Sequence, residues 1–289
     1  MKSLVSLLLF ALGLQAQVAH PRIWLDSTTK TRLLGLVSAN DPSWVAFKAK
    51  SDAFVTKTVL PWQSGSCNTT TQICWDYDGG GWLDASEYLG LAYQMTGDTT
   101  YSNQLKLVLT AMVNAGVTGI ATPTTGYSSR NVALALGLSY DWIYDQLSPT
   151  DKTNLCALLD IYYNFIQTGG SVVNWGVNMS PYGNFTTGHI LGLGVAALAT
   201  EGDDANYAAM MGVIQTTAWN NYVVQGFTGP AHRVSTSFAT GGYEGGYPEE
   251  SWNYGGNGLI RLMQYASAYE TAGKGDLGYR TYSVGLVKN

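Results

Sequence analysis

Charge is scarce in this chain. Of its 289 residues only 12% are Asp, Glu, Lys or Arg, and 15 cations against 20 acids leave a formal net charge of −5. A mildly acidic chain lacks the basic face that supplies most of the affinity for nucleic acid, so a nucleic-acid partner is excluded. Cysteine is scarcer still: three residues are too few for a disulfide scaffold. No CxxC or HExxH pattern occurs, so the sequence implies neither a structural zinc site nor a zincin. Past the amino terminus no stretch is long and apolar enough to cross a bilayer. Period-two alternation is nearly absent, which argues against a strand-rich fold.

What is present begins with MKSLVSLLLFALGLQAQ, one lysine followed by an apolar run, with Leu14 and Ala16 placed for cleavage. That pattern predicts a secretory signal peptide over residues 1–16 and an exported chain over 17–289, secreted or periplasmic, with no membrane partner. In such a compartment Cys67 and Cys74 of CNTTTQIC either close a small loop or stay free. Cys156, at an apolar helical position in TNLCALLDIYY, predicts a buried free thiol.

Helical periodicity dominates the rest. SEYLGLAYQMTG (86–97) stops at Gly97, and Asp98 can cap TTYSNQLKLVLTAMVNAG. HILGLGVAALATEG (189–202) and NGLIRLMQYASAYETAGKGD (257–276) also close on Gly-Asp, each followed within a few residues by tyrosine: Tyr101, Tyr207 and Tyr279. SWVAFKAKSDAFVTK (43–57) and 128–146 read as further helices, and Ser148-Pro149 marks another helix start. The expected fold is all-α, an incomplete α/α toroid of helical hairpins occupying 17–289. Long irregular stretches at 61–82, 168–185 and 226–256 would gather at one mouth and wall a cleft.

HPRIWL (20–25), RNVALALGLSYDWIYDQLS (130–148), GNFTTGHILGLGVAALATEGD (183–203) and GGYPEESWNYGGNGLIRLM (245–263) stand in the order found in the heparinase II/III-like and alginate-lyase-like polysaccharide lyases, which this chain resembles over nearly its whole exported length. The resemblance implies an α/α toroid followed by a β-sandwich domain, and this sequence contains no strand-rich region to match the second. It implies cleavage of an acidic, uronate-containing glycan by β-elimination. That chemistry needs a hydrogen bond to the uronate carboxylate, a base for the adjacent proton and an acid for the leaving oxygen. No organic cofactor or metal follows from it, and the oligomeric state is left open.

Carried onto this sequence, the resemblance makes His189, five residues after Asn184 at a helix start, the leading base. Its other reading is a first-turn histidine bonded to backbone. Asn184 would hold the carboxylate through its amide, or cap the helix. His232 and Arg233 in GPAHRVST, and Arg130 before the YDW helix, are candidate uronate contacts in a chain poor in cations. Asp141 and Trp142 of that helix read as structural. In GGYEGGYPEESWNYGG (241–256), Tyr247 and Tyr254 are cleft residues able to act as proton donor or tuned base, Tyr243 a sugar contact, and Glu249 a group that orients a helix end or cation.

Two other classes fit. A glycoside hydrolase on the same scaffold would draw an acid/base pair from Asp76, Asp78, Asp84, Glu244, Glu249 and Glu250. A non-catalytic glycan-binding domain would use the aromatic-rich loops: nine tryptophans and nineteen tyrosines are a high count, and although most belong to the core, exposed aromatics stack on sugar rings.

Overall fold

The computed structural model describes residues 17–62, 67–120, 127–168, 184–224 and 251–278. Among them the chain is all-α apart from one short parallel pairing, β1 (Thr58–Val59) with β2 (Gln72–Ile73). The helices are α1 (Ser27–Ser38), α2 (Pro42–Val55), α3 (Gly80–Thr96), α4 (Thr99–Ile120), α5 (Tyr127–Trp142), α6 (Pro149–Thr168), α7 (Asn184–Thr200), α8 (Tyr207–Met211) and α9 (Ser251–Thr271). A π-helical segment, Gly212–Val224, carries α8 onward.

Local chemistry sets the boundaries. Asp26 and Asp41 accept from Thr29 N and Ser43 N to start α1 and α2. Gly97, at φ 70°, ends α3, and Asp98 accepts from Thr100 N to open α4. At α6, Ser148 Oγ accepts from Asp151 N while Asp151 accepts from Ser148 N, a reciprocal cap with aspartate in the usual glutamate position. The Gly-Asp turn expected at 275–276 departs from this pattern. Helix α9 ends earlier, at Thr271, and Gly273 (φ 77°) takes a positive φ there in addition to Gly275 (φ 102°).

Four helices run parallel. Asp78 and Gly79, just before α3, meet Asn131 and Val132 near the start of α5. Arg130 meets Gly188 in the first turns of α5 and α7. Glu201, just beyond α7, pairs with Lys274, just beyond α9. The amino-terminal ends of α3, α5 and α7 therefore share one end of the molecule, and α9 points the same way. Close approach is achieved with glycine: a Cβ at Gly137 would lie 2.8 Å from Ala196 Cα, and one at Gly194 would lie 2.3 Å from Tyr265. Helix α7 is buried along its described length, His189 through Ala199 included, because it is apolar on every face.

At the opposite end, residues 17–25 cross α5, α7 and α9 as an irregular strap. Asp141 accepts from the backbone N–H groups of Arg22 and Ile23 and from His20 Nδ1 at 2.6 Å, and Trp142 Nε1 donates to Ile23 O. Trp24 Nε1 donates to Gln264 O on α9. Asp141 and Trp142 are thus structural, as expected. Cys67 and Cys74 form a disulfide. Cys156 is a buried free thiol, pushed up to about 12 chiefly by burial.

Candidate functional site

The amino-terminal ends of α3, α5 and α7 build one constellation. Residues 74–80 lead into it and are braced from three sides. Cys74 is tied to Cys67, a Cβ on Gly81 would lie 2.5 Å from Cys74 O, and a Cβ on Gly79 would lie 2.4 Å from Val132. Asn131 Nδ2 donates to Asp78 O at 3.2 Å, which holds Asp78 within charge range of Arg130. Burial pushes the Asp78 carboxyl up, and the Arg130 guanidinium opposes that push.

Arg130 also reaches α7. Its Cβ and Cδ lie against the bare Cα of Gly188, so that a Cβ there would come within 2.7 and 3.0 Å of them. His189 follows. Its imidazole is 1% exposed, and burial, then the Arg130 charge, drive it down to about 3. Two residues expected at the site, Arg130 and His189, are therefore brought together, and the histidine is neutral at neutral pH. It is also walled in, together with Thr186 and Thr187, because the apolar α7 buries even its first turns. The sequence led us to expect a base at the cleft surface. The described residues instead give His189 a neutral, interior position behind Arg130.

Asn184 is the first residue of α7, one turn before His189, and Tyr254 stands in the first turn of α9. Both side chains lie outside the described residues. So do Tyr243, Tyr247, Glu249, His232 and Arg233, and with them Glu244 and Glu250.

One titratable group escaped sequence reasoning. Glu87, one turn beyond Asp84 on α3, is exposed at the helix surface, yet the protein atoms around it and then the Asp84 charge raise its carboxyl to about 7. Asp84 is itself raised by desolvation and by Asp76. The trace in the sequence was a pair of acids three residues apart on an otherwise apolar helix. Among the described residues no group of three His, Cys, Asp or Glu side chains converges as for a metal.

The strap end also contains a recess of about 300 Å³, lined by His20, Lys30, Tyr93, Asp141, Tyr144 and Asp145 among others. Its polar groups serve one another. Lys30 donates to Gln94 at 2.8 Å and Tyr93 to Asp145 at 2.5 Å. His20 is held between Asp141 and Arg22 Nη2, which fixes its proton on Nδ1 and occupies Nε2.

No protein-family profile matches the sequence, and no curated protein matches it significantly.

Proposed function

We propose that this chain is an exported polysaccharide lyase built on an incomplete α/α toroid, acting by β-elimination on an acidic, uronate-containing glycan. The observation that carries the reading is the meeting of Arg130 with the first turn of α7 at an end where several helices present their amino termini. Helix amino termini favour anions, and a guanidinium set among them is a fitting partner for a uronate carboxylate. Arg130 and Asn184 hold that carboxylate, which draws electron density away from the neighbouring C–H. His189, neutral and buried, positions Arg130 instead of taking the proton. Proton abstraction and donation then fall to the tyrosines of the 243–254 segment, Tyr247 and Tyr254, with Tyr243, Glu249, His232 and Arg233 completing the substrate contacts. No cofactor enters the chemistry.

The test is incubation of residues 17–289 with alginate, heparan sulfate, chondroitin, hyaluronan and pectin, following the ultraviolet absorbance of the new carbon–carbon double bond. Absorbance that grows with time and is lost in Arg130→Gln supports the lyase.

A second reading has its own observation. A carboxyl raised to about 7 suits a general acid, so Glu87 makes a glycoside hydrolase the competing assignment. New reducing ends without that absorbance, abolished by Glu87→Gln, would decide for hydrolysis.

A further inference from the structure

Tyr77 is the one aromatic among the exposed large hydrophobic side chains of the described residues, and at 69% it is the most open of them. A single exposed ring needs no explanation by itself. The backbone that presents it does. Asp76 (φ 48°, ψ −154°) and Asp78 (φ 49°, ψ 37°) flank Tyr77; Asp78 takes the left-handed helical conformation that aspartate tolerates, while Asp76 occupies a region that residues carrying a Cβ rarely enter. Such positions persist only where the surroundings over-determine them, and they concentrate at ligand sites.

The surroundings do over-determine this one. The Cys67–Cys74 disulfide anchors the segment from one side. Gly79 and Gly81 allow contacts with Val132 and Cys74 O that no Cβ would permit, and Asn131 grips Asp78 O. The result is an open aromatic ring on a rigid, strained mount, one residue from the carboxyl that feels Arg130.

We propose that Tyr77 is a stacking platform for a pyranose ring of the glycan, at the subsite next to the sugar whose carboxylate meets Arg130. The proposal rests on the reading of this end as a glycan site. A pyranose presents an apolar face of C–H groups, which packs on the face of an aromatic ring and leaves the hydroxyls to solvent. Such packing does not depend on the charge of the sugar. Arg130 then selects for the uronate, while Tyr77 adds affinity for a longer chain and fixes its register. A rigid mount suits that role, because little freedom is lost on binding.

The experiment is calorimetric titration of residues 17–289 with three probes: a mannuronate hexasaccharide, a heparan-derived hexasaccharide and cellohexaose. Wild type, Tyr77→Ala and Tyr77→Phe are compared, and formation of unsaturated product is followed separately. For whichever hexasaccharide binds, Tyr77→Ala is expected to raise Kd about tenfold, the size of a good aromatic contact. Tyr77→Phe should stay within about twofold of wild type, and the Tm of each variant is measured alongside so that a loss of folding is told apart from a loss of binding. Unchanged binding by Tyr77→Ala overturns the platform and leaves the lyase reading standing. Weakened binding without unsaturated product keeps the platform and removes the lyase. If wild type binds none of the three probes, the platform is overturned as well.

Discussion

Arg130 on α5 lies across Gly188 on α7, so closely that a single methyl group at Gly188 would come 2.7 Å from the arginine Cβ. The glycine is what lets the charge of one helix reach the first turn of the next. Gly188→Ala must therefore displace Arg130, at a cost of about 1–3 kcal/mol for overpacking. Turnover should fall together with Tm. Gly35→Ala in α1 is the control: nothing lies within 4 Å of its would-be Cβ and no positive φ is required. That substitution should stabilise by about 0.5–1 kcal/mol. Equal Tm values for the two variants would refute the contact.

His189 ties stability to pH. Its folded value of about 3 lies below the ordinary histidine value, so between those limits the unfolded chain binds the proton more tightly than the folded one. The contribution is complete above about pH 6.5 and is lost as pH falls toward 3. Urea unfolding midpoints measured from pH 4 to 7.5 should rise with pH, and His189→Gln should flatten the rise. A profile that Gln leaves unchanged would mean that this imidazole is not the group being titrated.

Glu87 works in the opposite direction. The folded protein holds its proton to higher pH than an unfolded glutamate, which releases it near 4.5, and because Glu87 is exposed, solvent screens part of that difference. Stability from this group is therefore full below pH 4.5 and declines as pH rises through 7. Glu87→Gln should remove that decline, leaving a steeper net rise than wild type shows over the same window. The two variants thus bend one curve in opposite senses. If both shift it the same way, one of the two assignments is wrong.

Much of the fold was legible because its punctuation is local. Gly97 with Asp98, and Ser148 with Pro149, mark their helix boundaries by chemistry confined to a few residues. Helix α1 was not anticipated, since none of its residues is buried and no apolar stripe announces it. Helix α3 begins at Gly80, six residues ahead of the expected Ser86. Glycines are poor helix formers, and Gly81 in that first turn is there for close approach to Cys74 O. The site was legible only as a set of residue types. Arg130 and His189 were both singled out, but their meeting depends on Gly188 and on the parallel packing of α5 with α7. Burial of the imidazole follows from α7 being enclosed on every side, which a first-turn position in the sequence does not reveal.

Asp141 offers the most direct test of what closes the other end. Its carboxylate is buried and accepts from two backbone N–H groups of the strap, Arg22 and Ile23, and from His20. Arg22, 1% exposed, carries the linkage on to Glu201, which also pairs with Lys274 beyond α9. Removing the carboxylate leaves the buried N–H groups of Arg22 and Ile23 without an acceptor. Asp141→Ala should therefore cost about 3–5 kcal/mol, and Asp141→Asn less, since one oxygen remains to accept. The reading is the urea midpoint at neutral pH, paired with amide exchange at residues 22–25. Protection lost there while α3 and α4 stay protected would show the strap undocking as a unit. A midpoint within about 0.5 kcal/mol of wild type would mean that α5, α7 and α9 hold together without it.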